Sequence, residues 1–202
     1  MIKIVDYGLG NLSAFLNVYK RLNIEASPAK TADELRDASK LILPGVGAFD
    51  RAMELLIQSG MRETLDELVL SKNVPVLGVC VGMQILAHSS EEGSARGLGW
   101  LDGTVKWFKS LDQYPLPVPH MGWNDVFPRA QSSLFNNLSH SRFYFLHSYY
   151  FSCENSVHSI AVSNYGVEFS CAVNKKNIFG VQFHPEKSHH FGAQLLKNFA
   201  GL

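Results

Sequence analysis

Read along the chain, apolar and polar positions fall into two textures. In the first half short β-rich runs alternate with helical spacing: IKIV from Ile2, a helix after Asn11, IEA from Ile24, a helix near Asp33 and LIL from Leu41. A helical segment from Ala48 to Gln58, with Met53, Leu55, Leu56 and Ile57, precedes PVLGV from Pro75. That rhythm predicts β/α units on a parallel sheet, with the uncharged PVLGV at its centre. From Gly97 the pieces are aromatic and β-like: GLGWLDGTVKWF, FYFLHSYYF, SIAVSNYG, EFSCAV and NIFGVQF. They predict an antiparallel or mixed second sheet of the same domain. From His189 to Ala200, Phe191, Leu195, Leu196 and Phe199 recur at helical steps and mark a closing amphipathic helix.

Composition narrows the class. At 202 residues with no linker, repeat or low-complexity segment, one domain spanning 1–202 is expected. Hydrophobic residues make up 46% and charged residues 18%, which predicts a folded globular chain. Eighteen basic residues balance eighteen acidic ones, so there is no net field for nucleic acid or anionic lipid. The opening MIKIVDYGLGN lacks a signal core, and nothing approaches the roughly 18 apolar residues of a spanning helix. Three cysteines without zinc-type spacing argue against a disulfide framework and a structural metal. The expectation is a cytoplasmic protein with no membrane contact.

The candidate chemistry begins in VPVLGVCVGMQILAH, where Cys80 follows an apolar strand and precedes a helical run, with Gly78 and Gly82 on either side. Strand, sharp turn and helix make a nucleophile elbow, in which glycines let backbones crowd so that a strained residue projects its nucleophile. A free thiol, with a pKa of about 8.5, is little ionised at neutral pH and needs a helix N-terminus and an imidazole to activate it. Taken alone, Cys80 is also readable as a small buried residue at a turn.

Near the other end, GVQFHPEKSHH puts His184 after an apolar run and Glu186 two residues later. In an extended segment those side chains share a side. Glu186 would hold one imidazole nitrogen while the other faces the nucleophile. Taken singly, His184 is better explained as a satisfied core histidine and Glu186 as a solvated charge after a proline. Three such groups at strand ends, where open α/β sheets build their sites, favour catalysis. Cys153 and Cys171 lie in β-like runs without framing glycines and read as structural. His88, His120, His140, His158, His189 and His190 lack comparable settings. DYGLGN reads as a turn in which Gly8 and Gly10 permit unusual backbone angles; Ser13 stands where a dinucleotide fingerprint needs its third glycine.

PGVG from Pro44, GVCVGMQ and GVQFHPEKS resemble the signatures of class I glutamine amidotransferases, and the order Cys, His, Glu agrees. DYGLGN, PGVGAFDRAM, HMGWN from His120, FLHSYYF from Phe145 and HPEKSH are similar, within that family, to the glutaminase subunits of imidazole glycerol phosphate synthases. The resemblance implies an α/β fold: a central, mostly parallel sheet flanked by helices, with an added antiparallel sheet. It implies Cys80 as nucleophile, His184 as general base and acid, and Glu186 as its orienting group. Val81 with Val46 and Gly47 would form the oxyanion hole; Gly47, Gln84, His147, Ser148 and Tyr149 would hold L-glutamine. Asn11, Tyr144 and Lys187 would face a partner, a (β/α)₈ barrel cyclase in a heterodimer. No metal or organic cofactor is implied.

Other readings share parts of this pattern. A paralogue supplying ammonia to a different synthase, such as one amidating a sugar for surface polysaccharide, would carry the same triad. A non-catalytic binding subunit would be expected to lose it. A cysteine peptidase or γ-glutamyl hydrolase would share the elbow and need an open cleft.

Overall fold

The computed structural model describes residues 1–110, 116–129 and 132–202. The first half builds as its pattern predicts. Strand β1 (Ile2–Val5) is buried at every position and pairs in parallel with β2 (Ala26–Ala29) and β3 (Lys40–Gly45). Helix α1 (Leu12–Arg21) starts at Asn11, whose Oδ1 accepts from the Ala14 N–H at 3.2 Å, and buries Phe15, Val18 and Tyr19 at helical spacing. Helix α2 (Ala32–Leu35) is a single turn capped by Thr31. Helix α3 (Phe49–Gln58) buries Phe49, Ala52, Met53 and Leu56, which turns Ile57 outward. Helix α4 (Arg62–Asp66), continued by a π-helical turn over Glu67–Ser71, leads into β4 (Val76–Cys80).

β4 is the centre of the molecule. It lies between β3 and β12 (Ile178–Val181), parallel to both, with Gly45 beside Cys80 and Val181 beside Val79. One-turn helix α5 (Val81–Gln84) follows it directly, and α6 (His189–Ala200) closes the chain. The aromatic half supplies β5 (Ser89–Ser90), β6 (Gly103–Trp107), β7 (His120–Pro128), β8 (Ser141–His147), β9 (Tyr149–Cys153), β10 (Ser159–Tyr165) and β11 (Val167–Lys175). The main path through the strands runs β2-β1-β3-β4-β12-β11-β10-β7-β8, and β9 joins β11 to the β6 and β5 branch. Helices flank the parallel part, so the architecture is the expected mixed α/β one.

Four expectations need correction. The two textures do not form separate sheets: β12, from the second half, pairs in parallel with β4 and in antiparallel with β11, joining them. The second strand begins at Ala26 rather than Ile24, because the Ile24 N–H turns back to the Tyr19 carbonyl at 3.0 Å and closes α1. Its Pro28 is tolerated because β2 is the edge strand. GLGWLD is not a strand. The N–H groups of Leu98, Gly99 and Leu101 take the carbonyls of Ile85, Ala87 and Leu86, which ends the helical run after Cys80 at one turn.

Candidate active site

The nucleophile side is made of backbone. Cys80 has φ +56° and ψ −115°, a conformation strained for any residue with a side chain. Close approach on both sides of it forces this turn. A Cβ on Gly82 would lie 1.9 Å from the Leu43 carbonyl oxygen, and one on Gly78 would lie 2.5 Å from the Gly82 oxygen. The framing glycines are therefore a packing requirement of β3, β4 and α5, as the elbow predicts. Val81 is the first residue of α5, so its N–H has no acceptor within the helix.

The base side is made of side chains. His184 lies three residues beyond β12, and its N–H and carbonyl are tied to the Tyr144 carbonyl at 2.9 Å and the Ser188 hydroxyl at 2.6 Å. His184 Nδ1 donates to Glu186 Oε1 at 2.8 Å, with both side chains 3% exposed. Glu186 reaches it from a 3₁₀ turn, Pro185–Lys187, rather than from an extended segment, so the spacing rule gave the contact for a different reason. The other nitrogen, Nε2, is left for Cys80. Burial opposes charge on this imidazole, but its hydrogen bond and charge interaction with Cys80, and those with Glu186, overcome burial and raise its pKa to about 10. Glu186 Oε2 is buried without a hydrogen-bond partner in the structure. Around the sulfur, Gln182 Nε2 and the Leu146 carbonyl each lie at 3.8 Å.

Cys80 and His184 line a cavity of about 270 Å³, together with Val46, Gly47, Val81, Gln84, His147, Ser148, Tyr149 and Lys187. Every residue assigned above to the oxyanion hole or to glutamine is in that wall. Glu186 stands behind His184. Of the residues assigned to a partner, exposed Lys187 is at the cavity with its Nζ 5.8 Å from the Tyr144 ring centre, and Asn11 serves as the α1 cap.

The sequence reading missed Glu92, Pro119 and Leu146 in the wall, Gln182 against the sulfur, and His120, hydrogen-bonded to His147. It also missed Tyr7, whose hydroxyl donates to the Pro44 carbonyl at 2.6 Å and ties DYGLGN to the PGVG loop. Gly8 and Gly10 both have φ +95°, as a turn reading of that motif requires. Glu92 carried one signal: an acidic residue before GLGW whose carboxylate accepts the Phe49 N–H at 2.8 Å, at the start of α3.

A strained thiol at a helix start, a buried imidazole held by a carboxylate and a cavity lined by both are the parts that nucleophilic cysteine chemistry on an α/β sheet requires. The family model described as Glutamine amidotransferase class-I matches residues 4–201, and the chain belongs to that family. Within it the chain is a member of the HisH group. It is 60% identical to "Imidazole glycerol phosphate synthase subunit HisH" of Bdellovibrio bacteriovorus and 57% identical to the subunit of the same name from Leptospira interrogans, each match covering 100% of both chains. A similarly named subunit, HisH 2 of Pseudomonas aeruginosa, is 46% identical over the same full coverage. Among solved structures, a glutamine amidotransferase superposes with TM-score 0.74 at 20% identity, covering 100% of this chain and 99% of its own. PurLQS from Thermotoga maritima gives TM-score 0.74 at 16% identity, covering 99% and 97%. At those identities the likeness is one of fold. Among the described residues no helix is long and apolar enough to cross a membrane.

Proposed function

We propose that this chain, as one domain, is the glutaminase subunit of an imidazole glycerol phosphate synthase, releasing ammonia from L-glutamine for a (β/α)₈ barrel cyclase in a cytoplasmic heterodimer. The observation that carries the reading is Cys80 at φ +56° in the lining of the cavity, beside an imidazole whose far nitrogen is held by Glu186 at 2.8 Å. Attack of the Cys80 thiolate on the side-chain amide carbon forms the C–S bond and pushes an electron pair onto oxygen. The Val81 N–H, with a second donor from Val46 or Gly47, stabilises that oxyanion. Imidazolium His184 gives its proton to the leaving nitrogen, and ammonia departs. The neutral ring then takes a proton from water, which attacks the thioester, and glutamate leaves as the thiolate is restored. Gly47, Gln84, His147, Ser148 and Tyr149 hold the rest of the substrate.

The partner reading rests on the outer face of β7 and β8. Met121 pairs with Leu146 and Trp123 with Tyr144, and Met121, Trp123 and Leu146 are 65%, 39% and 39% exposed. This is an apolar surface at the cavity rim, since Leu146 belongs to both. Asn11, Tyr144 and Lys187 are assigned to the same partner. The test is ammonia release from glutamine by the purified chain, alone and mixed with a barrel cyclase carrying its nucleotide ligand. A rate that rises on mixing supports the assignment. A rate unmoved by that cyclase redirects the search to another synthase, and residual activity in Cys80→Ala removes Cys80 from the mechanism.

A further inference from the structure

His120 is buried in the first position of β7 and does not line the cavity, yet it is hydrogen-bonded into the cavity wall. Its ring is stacked between Tyr165, with centroids 4.1 Å apart, and Phe145, at 4.7 Å. Its Nδ1 lies 2.9 Å from His147 Nε2, and His147 Nδ1 lies 2.7 Å from the Tyr149 carbonyl oxygen. On the other side, Asn124 Nδ2 lies 3.2 Å from His120 Nε2.

The direction of every bond in this chain is fixed from its ends. A carbonyl only accepts, so His147 Nδ1 carries a proton and, in the neutral ring, Nε2 accepts. Asn124 is oriented without reference to His120: its Nδ2 donates to the Asn164 carbonyl at 2.8 Å, and its Oδ1 accepts from the Asp125 N–H at 2.8 Å. Asn124 therefore presents N–H to His120 Nε2, which accepts, and His120 carries its proton on Nδ1. Both ends then demand the same middle bond, His120 Nδ1–H to His147 Nε2. Burial keeps both rings neutral, lowering the pKa of His120 to about 4 and that of His147 to about 3.

The chain ends at the Tyr149 carbonyl, which also accepts from Gln84 Nε2 at 3.3 Å. Gln84 Nε2 reaches Gln182 Oε1 at 3.1 Å, and Gln182 Nε2 faces the Cys80 sulfur. The Tyr149 carbonyl is thus the point where the aromatic half of the sheet grips the turn after the nucleophile.

We propose that His120 is a positioning residue for amide hydrolysis: a one-directional chain of imidazoles from Asn124 through His120 and His147 fixes the Ser148–Tyr149 wall against which glutamine is held. The proposal rests on that cavity being the glutamine site. His147 has both ring nitrogens committed, so it acts on the wall more than on the ligand directly.

The test compares His120→Gln with His120→Asn in glutaminase assays of the chain with its cyclase. An asparagine amide places an N–H where Nδ1 stood, whereas a glutamine amide reaches only the Nε2 position. His120→Gln leaves the buried His147 Nε2 without its donor and is expected to raise KM for glutamine roughly tenfold, with a smaller change in kcat. His120→Asn recovers most of that loss. Equal KM values for the two variants, or a fall in kcat at constant KM, would overturn the relay in favour of simple packing. Independently, long-range proton–nitrogen correlation NMR of the wild-type chain should find both His120 and His147 protonated on Nδ1 alone. A proton on Nε2 of either ring also overturns it. Activity surviving in Cys80→Ala would sink the glutamine-site reading and leave the two tautomers untouched, so the failures are distinguishable.

Discussion

The two walls of the cavity are built by different means. On the nucleophile side, β3, β4 and α5 approach so closely that only glycine fits at positions 78 and 82, and Cys80 is forced to φ +56°. On the facing side, β8, β9 and the turn after β12 hold their groups by side-chain hydrogen bonds: His184 to Glu186, and His147 to His120 and the Tyr149 carbonyl. The first wall stores strain in the backbone, so changes there should register in stability. The second spends buried polar contacts, so changes there should register in rate, binding and pH dependence.

The largest effects separate the two at Cys80 itself. Cys80→Ala and Cys80→Gly should both lower ammonia release by about 10⁴-fold or more, as removal of a nucleophile does. Their stabilities should invert the usual order. Glycine ordinarily costs about 0.5–1 kcal/mol relative to alanine, but at this backbone conformation it relieves strain of about 1–3 kcal/mol. Urea unfolding should therefore find Cys80→Gly the more stable of the pair; alanine more stable would mean the turn is unstrained. Next in size, Gly82→Ala places a methyl 1.9 Å from the Leu43 carbonyl and should lose about 3 kcal/mol or more, because backbone on both sides must move. A loss under about 1 kcal/mol would show that β3 and α5 yield easily.

On the facing wall, Glu186→Gln should leave stability within about 1 kcal/mol while lowering kcat/KM by roughly ten- to a hundredfold. The amide oxygen still accepts from His184 Nδ1, but the charge that favours imidazolium is gone. His184→Ala should cost more, since the proton carrier itself is removed. Equal losses in the two variants would make Glu186 more than an orienting group.

This contrast also explains what the sequence made legible. The elbow could be read because its requirements are local: apolar strand, glycine, cysteine, glycine and a helix start all fall within VLGVCVGMQ. His184 and Glu186 were legible because they are neighbours in sequence, although a 3₁₀ turn brings them together. His120 was not legible because its partners are 4, 25, 27 and 45 residues away, and no short pattern encodes a stacked imidazole between Phe145 and Tyr165. The joining of the two textures into one sheet was hidden for the same reason: β12 pairs with β4 across about a hundred residues, and an apolar run does not name its neighbour. Of the residues named by family resemblance, those assigned to the oxyanion hole and to glutamine all line the cavity, whereas Glu186, Asn11 and Tyr144 lie outside its wall.

The histidines of the facing wall also oppose one another in the way their contributions to stability depend on pH. The folded pKa values of His120 and His147 lie below the ordinary 6.5, so between pH 6.5 and about 4 the unfolded chain binds more protons. Stability from these rings is present above pH 6.5 and is lost on acidification, by up to about 1.4 kcal/mol per pH unit for each ring. His184 runs the other way. Its folded pKa, about 10, lies above 6.5, so its contribution is complete below pH 6.5 and is lost as pH rises through 10. Denaturation midpoints across pH 4.5 to 9.5 should fall at both ends. His120→Asn should flatten the acid limb alone. Cys80→Ala should flatten the alkaline limb, because the hydrogen bond with Cys80 is the strongest of the contacts that raise the His184 pKa. If Cys80→Ala leaves the alkaline limb unchanged, the imidazole is held charged by Glu186 alone, and the thiol and the base are not coupled before substrate arrives.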